Sequence, residues 1–110
     1  MIIREGIHTT VYAEDQFTDF VPHNFIVADQ DGKQLADIHF QEGIISQGVN
    51  GVTNEDLLAM AICRLEHFQE SPYKCRENAI AITKLQEALM WLEKRTQDRV
   101  KRSVEGTHKL

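Results

Sequence analysis

Cys75-Arg76-Glu77-Asn78-Ala79-Ile80-Ala81-Ile82-Thr83-Lys84-Leu85-Gln86-Glu87-Ala88-Leu89-Met90-Trp91-Leu92-Glu93-Lys94-Arg95-Thr96-Gln97-Asp98-Arg99 reads as one long helix, and the fold is decided there. Stepping by four and three from Asn78 gives Ile82, Leu85, Leu89, Leu92, Thr96 and Arg99, a seam that opens on an amide, turns apolar and closes on a cation. An apolar core has no use for that arginine. Asn78 and Arg95 are 17 residues apart in sequence, so they are separated by roughly 25 Å along a helix rising 1.5 Å per residue. No small ligand bridges that distance within one chain, whereas an antiparallel partner helix brings the two ends together.

Working back toward the N-terminus, Thr53-Asn54-Glu55-Asp56 has the form of a helix start. Thr53 or Asn54 can accept from free N–H groups, and the acids suit the positive end of the helix dipole. Leu57, Leu58, Ala61, Ile62, Leu65 and Phe68 follow at helical spacing until Ser71-Pro72 interrupts the run. The second helix is expected from about Tyr73 to about Arg102, roughly 45 Å long. The two helices should form an αα-hairpin. Their unequal lengths should leave the far half of the second helix, with Leu89, Leu92 and Trp91, to be covered by the sheet or by another subunit. A symmetric dimer through this helix is the simplest solution.

The first half of the chain reads as β. His8 to Ala13 and Asn24 to Ala28 are rich in β-branched and aromatic residues, and Gln34 to Phe40 alternates Leu35, Asp37 and His39 against Ala36, Ile38 and Phe40. Asp31-Gly32 is placed as a tight primed hairpin turn. Gly43, Gly48, Asn50 and Gly51 mark a loop, read as a plain connector, although backbone rich in glycine can also approach a ligand closely. The fold class is therefore α+β: a small N-terminal antiparallel sheet, then a two-helix hairpin with a long C-terminal helix. Residues 1–110 are expected to make a single domain, with a β-rich part over 1–50 and the hairpin and tail over 51–110, in an oligomer.

Composition limits the chemistry. At 110 residues the chain is small for burying a core unaided, and its net charge of −5 does not suit a binder of DNA, RNA or anionic membrane. Cations nevertheless gather at one end: Lys94, Arg95, Arg99, Lys101, Arg102 and Lys109. Cys63 and Cys75 are read as small buried hydrophobes in a reducing cytosol. His8, His23, His39, His67 and His108 form no helical pair, so no metal is expected, and the phosphate-loop and nucleophile-elbow motifs are absent. Without a poised nucleophile, a paired acid and base or a metal cage, the candidate site is one for holding a ligand, not an enzyme's.

Each candidate residue has an ordinary explanation. Phe68 can be a core residue closing the hairpin, Asn78 can set register in a helical interface, and Arg95 and Arg99 can lie on a solvated face or pair with neighbouring acids. Together they suit a nucleotide. Across two antiparallel second helices, Phe68 stacks on a base, Asn78 bonds a base edge or ribose hydroxyl, and the two guanidiniums fork onto phosphate oxygens. Twofold symmetry then makes two equal pockets.

The chain also resembles a known family. Gly51-Val52-Thr53-Asn54-Glu55-Asp56-Leu57-Leu58, Cys75-Arg76-Glu77-Asn78-Ala79-Ile80-Ala81-Ile82-Thr83-Lys84-Leu85, Ala88-Leu89-Met90-Trp91-Leu92, Lys94-Arg95-Thr96 and Val104-Glu105-Gly106-Thr107-His108 resemble the phage Thoeris anti-defence sponge proteins and the related anti-CBASS sponges. The likeness runs from about Val21 onward and is dense after Gly51. It implies sequestration, without cleavage, of immune signalling nucleotides in the cytoplasm of the bacterial host, with a cyclic ADP-ribose isomer, glycocyclic ADP-ribose, as the Thoeris ligand. Carried over by motif, the ligand residues are Phe68, Asn78, Arg95 and Arg99. Family members that assemble dimers into larger oligomers, such as a trimer of dimers, also hold cyclic oligonucleotides elsewhere; Arg102, Gly106, Thr107 and His108 are the candidate second site here, and a helix-ending turn with a frayed tail is the equal alternative. Family tails often carry an arginine before Gly-Val-Glu-Gly, whereas this chain reads Arg102-Ser103-Val104, a serine replacing the glycine. An enzyme using Glu77 or a histidine as base, and a protein-binding hairpin, are the rival readings.

Overall fold

The computed structural model describes residues 1–101. Four strands, β1 (Ile2–Glu5), β2 (Thr9–Ala13), β3 (Asn24–Asp29) and β4 (Gln34–His39), precede two helices, α1 (Asn54–Gln69) and α2 (Arg76–Lys101). Where the sequence suggests one domain with two parts, the chain resolves into two compact units that divide between Val52 and Thr53. The α+β class and the order of its parts agree with the sequence reading.

The sheet is an antiparallel meander in the order β1-β2-β3-β4. Val11 faces Val27, Ala13 faces Phe25, Phe25 faces Ile38 and Val27 faces Ala36, so one face collects the apolar side chains, as strand alternation requires. Phe40 extends that face and meets the Phe25 ring edge-on at a centroid distance of 5.4 Å. The alternation read over Gln34 to Phe40 holds: Ala36, Ile38 and Phe40 are half-buried, and Leu35, Asp37 and His39 are exposed. β1 was not anticipated. It is four residues long and exposed throughout, so it carries no apolar-polar pattern.

The β3–β4 turn differs from the primed form. Gly32 has φ 84°, but neither Gln30 nor Asp31 has a positive φ, so the turn is the type I form followed by a left-handed glycine. The Gly32 N–H donates to the Asp29 carbonyl at 3.1 Å. The Asp29 carboxylate accepts from the Asp31 and Lys33 N–H groups, both at 2.9 Å. This aspartate supplies the local acceptor that makes the longer loop favourable.

Between β4 and α1 the chain makes a loop closed at its neck by side chains. The Asn50 Nδ2 donates to the Glu42 carbonyl, the Glu42 N–H donates to Asn50 Oδ1, and the Asn50 N–H donates to Gln41 Oε1. A Cβ on Gly51 would stand 2.5 Å from the Phe40 carbonyl carbon and 2.6 Å from the His39 carbonyl oxygen. The close backbone approach expected of this glycine is thus made to the chain's own β4 end, through the parallel Phe40–Val52 bridge.

The β2–β3 connection is organised by one carboxylate. Glu14 accepts from the His23 N–H at 2.7 Å, the Asn24 N–H at 2.9 Å and the Asn24 side-chain amide at 3.0 Å. Inside this loop His23 is buried, 5% exposed, with its Nε2 2.9 Å from the Thr18 carbonyl. The His23 N–H, with the Asn24 donors, lowers the Glu14 pKa from its ordinary 4.5. A carboxylate with a lowered folded-state pKa stabilises the fold fully above its unfolded value, and that contribution is lost as pH falls through the folded one. Glu14→Gln should therefore lower stability at neutral pH and flatten the acid limb, so that urea midpoints of the variant and the parent converge as pH falls below 4.5 and through the lowered folded-state pKa. A separation unchanged from neutral to acid pH would refute a role for the ionised carboxylate.

α1 begins as read. Thr53 is its N-cap: Asp56 N–H donates to Thr53 Oγ1 at 3.2 Å, and Asp56 Oδ2 accepts from the Thr53 N–H at 2.8 Å, a reciprocal capping box. It ends at Gln69, before Pro72. α2 begins at Arg76, three residues later than the expected Tyr73. Gln69 explains the delay: its side-chain amide donates to the Cys75 carbonyl and accepts from the Cys75 N–H, both at 3.0 Å, which keeps that residue in the turn. The Asn78 N–H then donates to Cys75 Sγ at 3.4 Å, at the first turn of α2.

Candidate functional site

The seam read from the long helix is the face that α2 turns inward. Asn78, Ile82, Leu85, Leu89, Leu92, Thr96 and Arg99 are all half-buried, together with Ala81, while the remaining described positions of α2 are exposed. α1 answers with Glu55, Leu58, Ile62, Leu65 and Gln69 at matching helical spacing. The expectation that the far half of α2 lacks an intrachain helical partner is overturned. The Thr96 hydroxyl donates to Glu55 Oε2 at 3.2 Å, which sets the first turn of α1 beside the sixth turn of α2. Leu89 and Leu92 belong to this packed seam; Trp91 lies off it and is 58% exposed. The reason is geometric: with the turn occupying residues 70–75, the 16 residues of α1 run back along most of the 26 of α2.

Two helices alone bury little. Ile62, 7% exposed, is the one residue of the hairpin classed as buried among the described residues. A single inter-helix seam cannot surround its own leucines, which is why antiparallel helices usually occur as bundles of more than two.

The four candidate ligand residues sit at two ends. Phe68, in the last turn of α1, and Asn78, in the first turn of α2, are half-buried at the closed end of the hairpin. Arg95 and Arg99 lie in the last two turns of α2, Arg95 exposed and Arg99 half-buried. The structure does not bring the two pairs together within one chain, consistent with the reach calculated from the helix rise. The side-chain amide of Asn78 makes no hydrogen bond among the described residues, and Arg95 no ion pair; the surface ion pair nearby is Lys94 to Asp98 at 3.0 Å. Arg102, Gly106, Thr107 and His108 lie outside the described residues.

The closed end also carries a cleft that the sequence reading did not identify. It has a volume of about 830 Å³, and its walls include Met60, Cys63, Arg64, His67, Phe68 and Tyr73. That volume falls in the range of small-ligand sites, ~300–1,000 Å³. Tyr73 meets the Phe68 ring edge-on at 6.5 Å, and the Arg64 guanidinium carbon stands over the same ring, 5.0 Å from its centroid. Such a cation over an aromatic face is held by the ring quadrupole. Phe68 is therefore a cleft wall as well as a closing residue of the hairpin. The signal available in the sequence was the four-residue spacing of Arg64 to Phe68 and of Cys63 to His67, which puts each pair on one helix face.

The cysteines are not buried. Cys63 and Cys75 are both exposed, because Cys63 falls next to Ile62 but off the inward face of α1 and Cys75 lies in the turn. Cys63 Sγ is 3.8 Å from His67 Nδ1, which is itself 2.8 Å from the Cys63 carbonyl. Among the described residues, no three His, Cys, Asp or Glu side chains gather to hold a metal ion. No described helix is long and apolar enough to cross a membrane.

Comparison with known proteins places this hairpin. The family model described as "Acb2/Tad1, hairpin domain" matches residues 32–97, which takes in Phe68, Asn78 and Arg95 and stops short of Arg99. A protein named "Thoeris anti-defense 1", from Bacillus phage SBSphiJ7, is 61% identical over 83 residues. The match covers 74% of this chain and 58% of that relative.

Proposed function

Because this chain belongs to the Acb2/Tad1 hairpin family, we propose that it is a phage anti-defence sponge: a protein that binds an immune signalling nucleotide of the infected bacterium and withholds it, uncleaved, from the host effector. The observation that carries this reading is the 61% identity to a protein named for anti-defence against Thoeris. The hairpin supports it with chemistry of the right kind. It presents an aromatic ring in an open cleft, an amide with no side-chain hydrogen bond among the described residues, and two guanidiniums at the far end of α2. These are groups that stack on a base, bond a base edge or ribose, and fork onto phosphate.

The ligand class is a cyclic ADP-ribose isomer, glycocyclic ADP-ribose, and the site is Phe68 and Asn78 of one chain with Arg95 and Arg99 of another. A second hairpin laid antiparallel on the first would cover the half-buried leucines and bring the two ends of the proposed site into register. Cyclic oligonucleotides, the ligands of the related anti-CBASS sponges, are the second class to test, since a guanidinium pair reads phosphate without regard to the base.

Calorimetric titration with glycocyclic ADP-ribose, cyclic dinucleotides and cyclic trinucleotides tests the proposal directly. Saturable binding of the ADP-ribose isomer is expected, with intact ligand returned on heat denaturation of the complex. Return of a hydrolysed product would assign the protein to enzymes, with Glu77 or a histidine as the base. Heat released by none of these ligands would leave the protein-binding hairpin as the reading to pursue.

A further inference from the structure

We infer that Arg64 is a fifth ligand-binding residue of the proposed nucleotide site, which exchanges the face of Phe68 for a phosphate of the ligand when the base stacks. The inference rests on the nucleotide reading above and adds to it a residue that the sequence motifs do not include.

Arg64 and Phe68 are four residues apart on α1, and the guanidinium carbon stands 5.0 Å from the ring centroid. A base that stacks on the ring face Arg64 covers takes the surface over which its guanidinium now lies. Tyr73 meets the ring at an interplanar angle of 82°, so it braces the ring without offering a parallel surface of its own. The guanidinium is displaced toward the open side of the cleft, whose walls include both residues. It has no salt-bridge partner among the described residues to hold it back. The contact it gives up is weak, since a cation–π pair open to solvent contributes little. A nucleotide supplies the replacement: a fork of N–H donors on a side chain of this length matches a phosphate oxygen pair beside a stacked base. Arg64 is thus a cover for the empty ring and a clamp for the filled one, and it favours anionic nucleotides over neutral nucleosides.

Two measurements on the full chain decide this. In the first, glycocyclic ADP-ribose and adenosine are titrated into the parent, Arg64→Ala and Arg64→Lys. Arg64→Ala should bind the nucleotide about ten- to a hundredfold more weakly, while adenosine, which meets an uncovered ring and loses no phosphate contact, binds no more weakly than to the parent. Arg64→Lys keeps the charge and loses the fork, so it should fall between. In the second, alkylation of Cys63 by iodoacetamide is followed by peptide mass spectrometry with and without the nucleotide. Bound nucleotide should slow labelling of Cys63 relative to the ligand-free protein.

An unchanged nucleotide affinity in Arg64→Ala, an equal loss for nucleotide and adenosine, or undiminished labelling of Cys63 would each overturn the role of Arg64 while leaving the sponge reading in place. A parent protein that binds no nucleotide would overturn the sponge reading, and Arg64 with it.

Discussion

Arg95→Ala is expected to weaken nucleotide binding by about ten- to a hundredfold while the fold is retained, because a charge-assisted hydrogen bond to phosphate typically contributes ~1.5–3 kcal/mol. Arg95 is exposed near the end of α2, and the inward seam runs beside it through Leu92, Thr96 and Arg99. Its removal therefore costs stability only the small dipole benefit of a cation in the last turns, about 0.3–1 kcal/mol. Asn78→Ala should weaken binding too, for a different reason. Its amide sits half-buried at the first turn of α2 with no side-chain hydrogen bond among the described residues, so it is available to a ligand. Alanine is the better helix former at that position, so the melting temperature should hold or rise while affinity falls. The opposing signs separate ligand contact from structural support. If both variants kept the parent affinity for every nucleotide that binds, the site would lie elsewhere on the hairpin.

The sequence made the helices legible because their signals are local. Thr53 and Asp56 form their reciprocal cap within one turn, Pro72 stops the first helix, and the seven-residue seam from Asn78 to Arg99 lies wholly on the inward face, to which the structure adds Ala81. The alternation of Ala36, Ile38 and Phe40 placed the inner face of the last strand for the same reason. What escaped the reading depends on contacts between segments. β1 is recognisable only through its pairing with β2. The start of α2 is set by the Gln69 amide holding Cys75 six residues away. The exposure of Cys63 follows from which face of α1 meets α2, a matter of one residue in register. The same holds for the site. Motif spacing picked out Phe68, Asn78, Arg95 and Arg99, but the cleft around Phe68 arises from the turn folding Tyr73 back onto α1.

The covering of α2 by α1 alters the physical argument for a dimer without removing it. An unpaired helix half would have demanded a partner on solvation grounds alone. The hairpin instead has a partnered seam whose α2 side stays half-buried along its whole length, so a second copy adds burial to contacts already formed. At ~25 cal/mol per Å² of apolar surface, completing the burial of Leu85, Leu89 and Leu92 in each of two chains is a substantial driving force. The polar ends of the seam would favour one direction for such a pair, because antiparallel packing places Asn78 of each chain near the guanidiniums of the other, whereas parallel packing sets like charges together.

Mixing two damaged proteins should therefore restore binding. In an antiparallel dimer each pocket takes Phe68 and Asn78 from one protomer and Arg95 and Arg99 from the other. An Asn78→Ala homodimer has two damaged pockets, as does an Arg95→Ala homodimer. A heterodimer of the two has one pocket with both lesions and one with neither. After subunit exchange at equal concentrations, about half of the dimers are heterodimers by random pairing, so roughly a quarter of all pockets should recover parent affinity. The expectation follows from the rise of the helix: residues 17 positions apart on α2 are held roughly 25 Å apart, beyond the span of one nucleotide. A pocket built within a single chain makes the contrary forecast, since every pocket in the mixture would carry one lesion. Exchange is verified first, by native mass spectrometry of differently tagged protomers, and the stoichiometry of tight binding is then measured. Confirmed heterodimers with no recovered sites would reject the antiparallel arrangement whichever nucleotide is bound, and a mixture that remains monomeric would reject the composite pocket altogether.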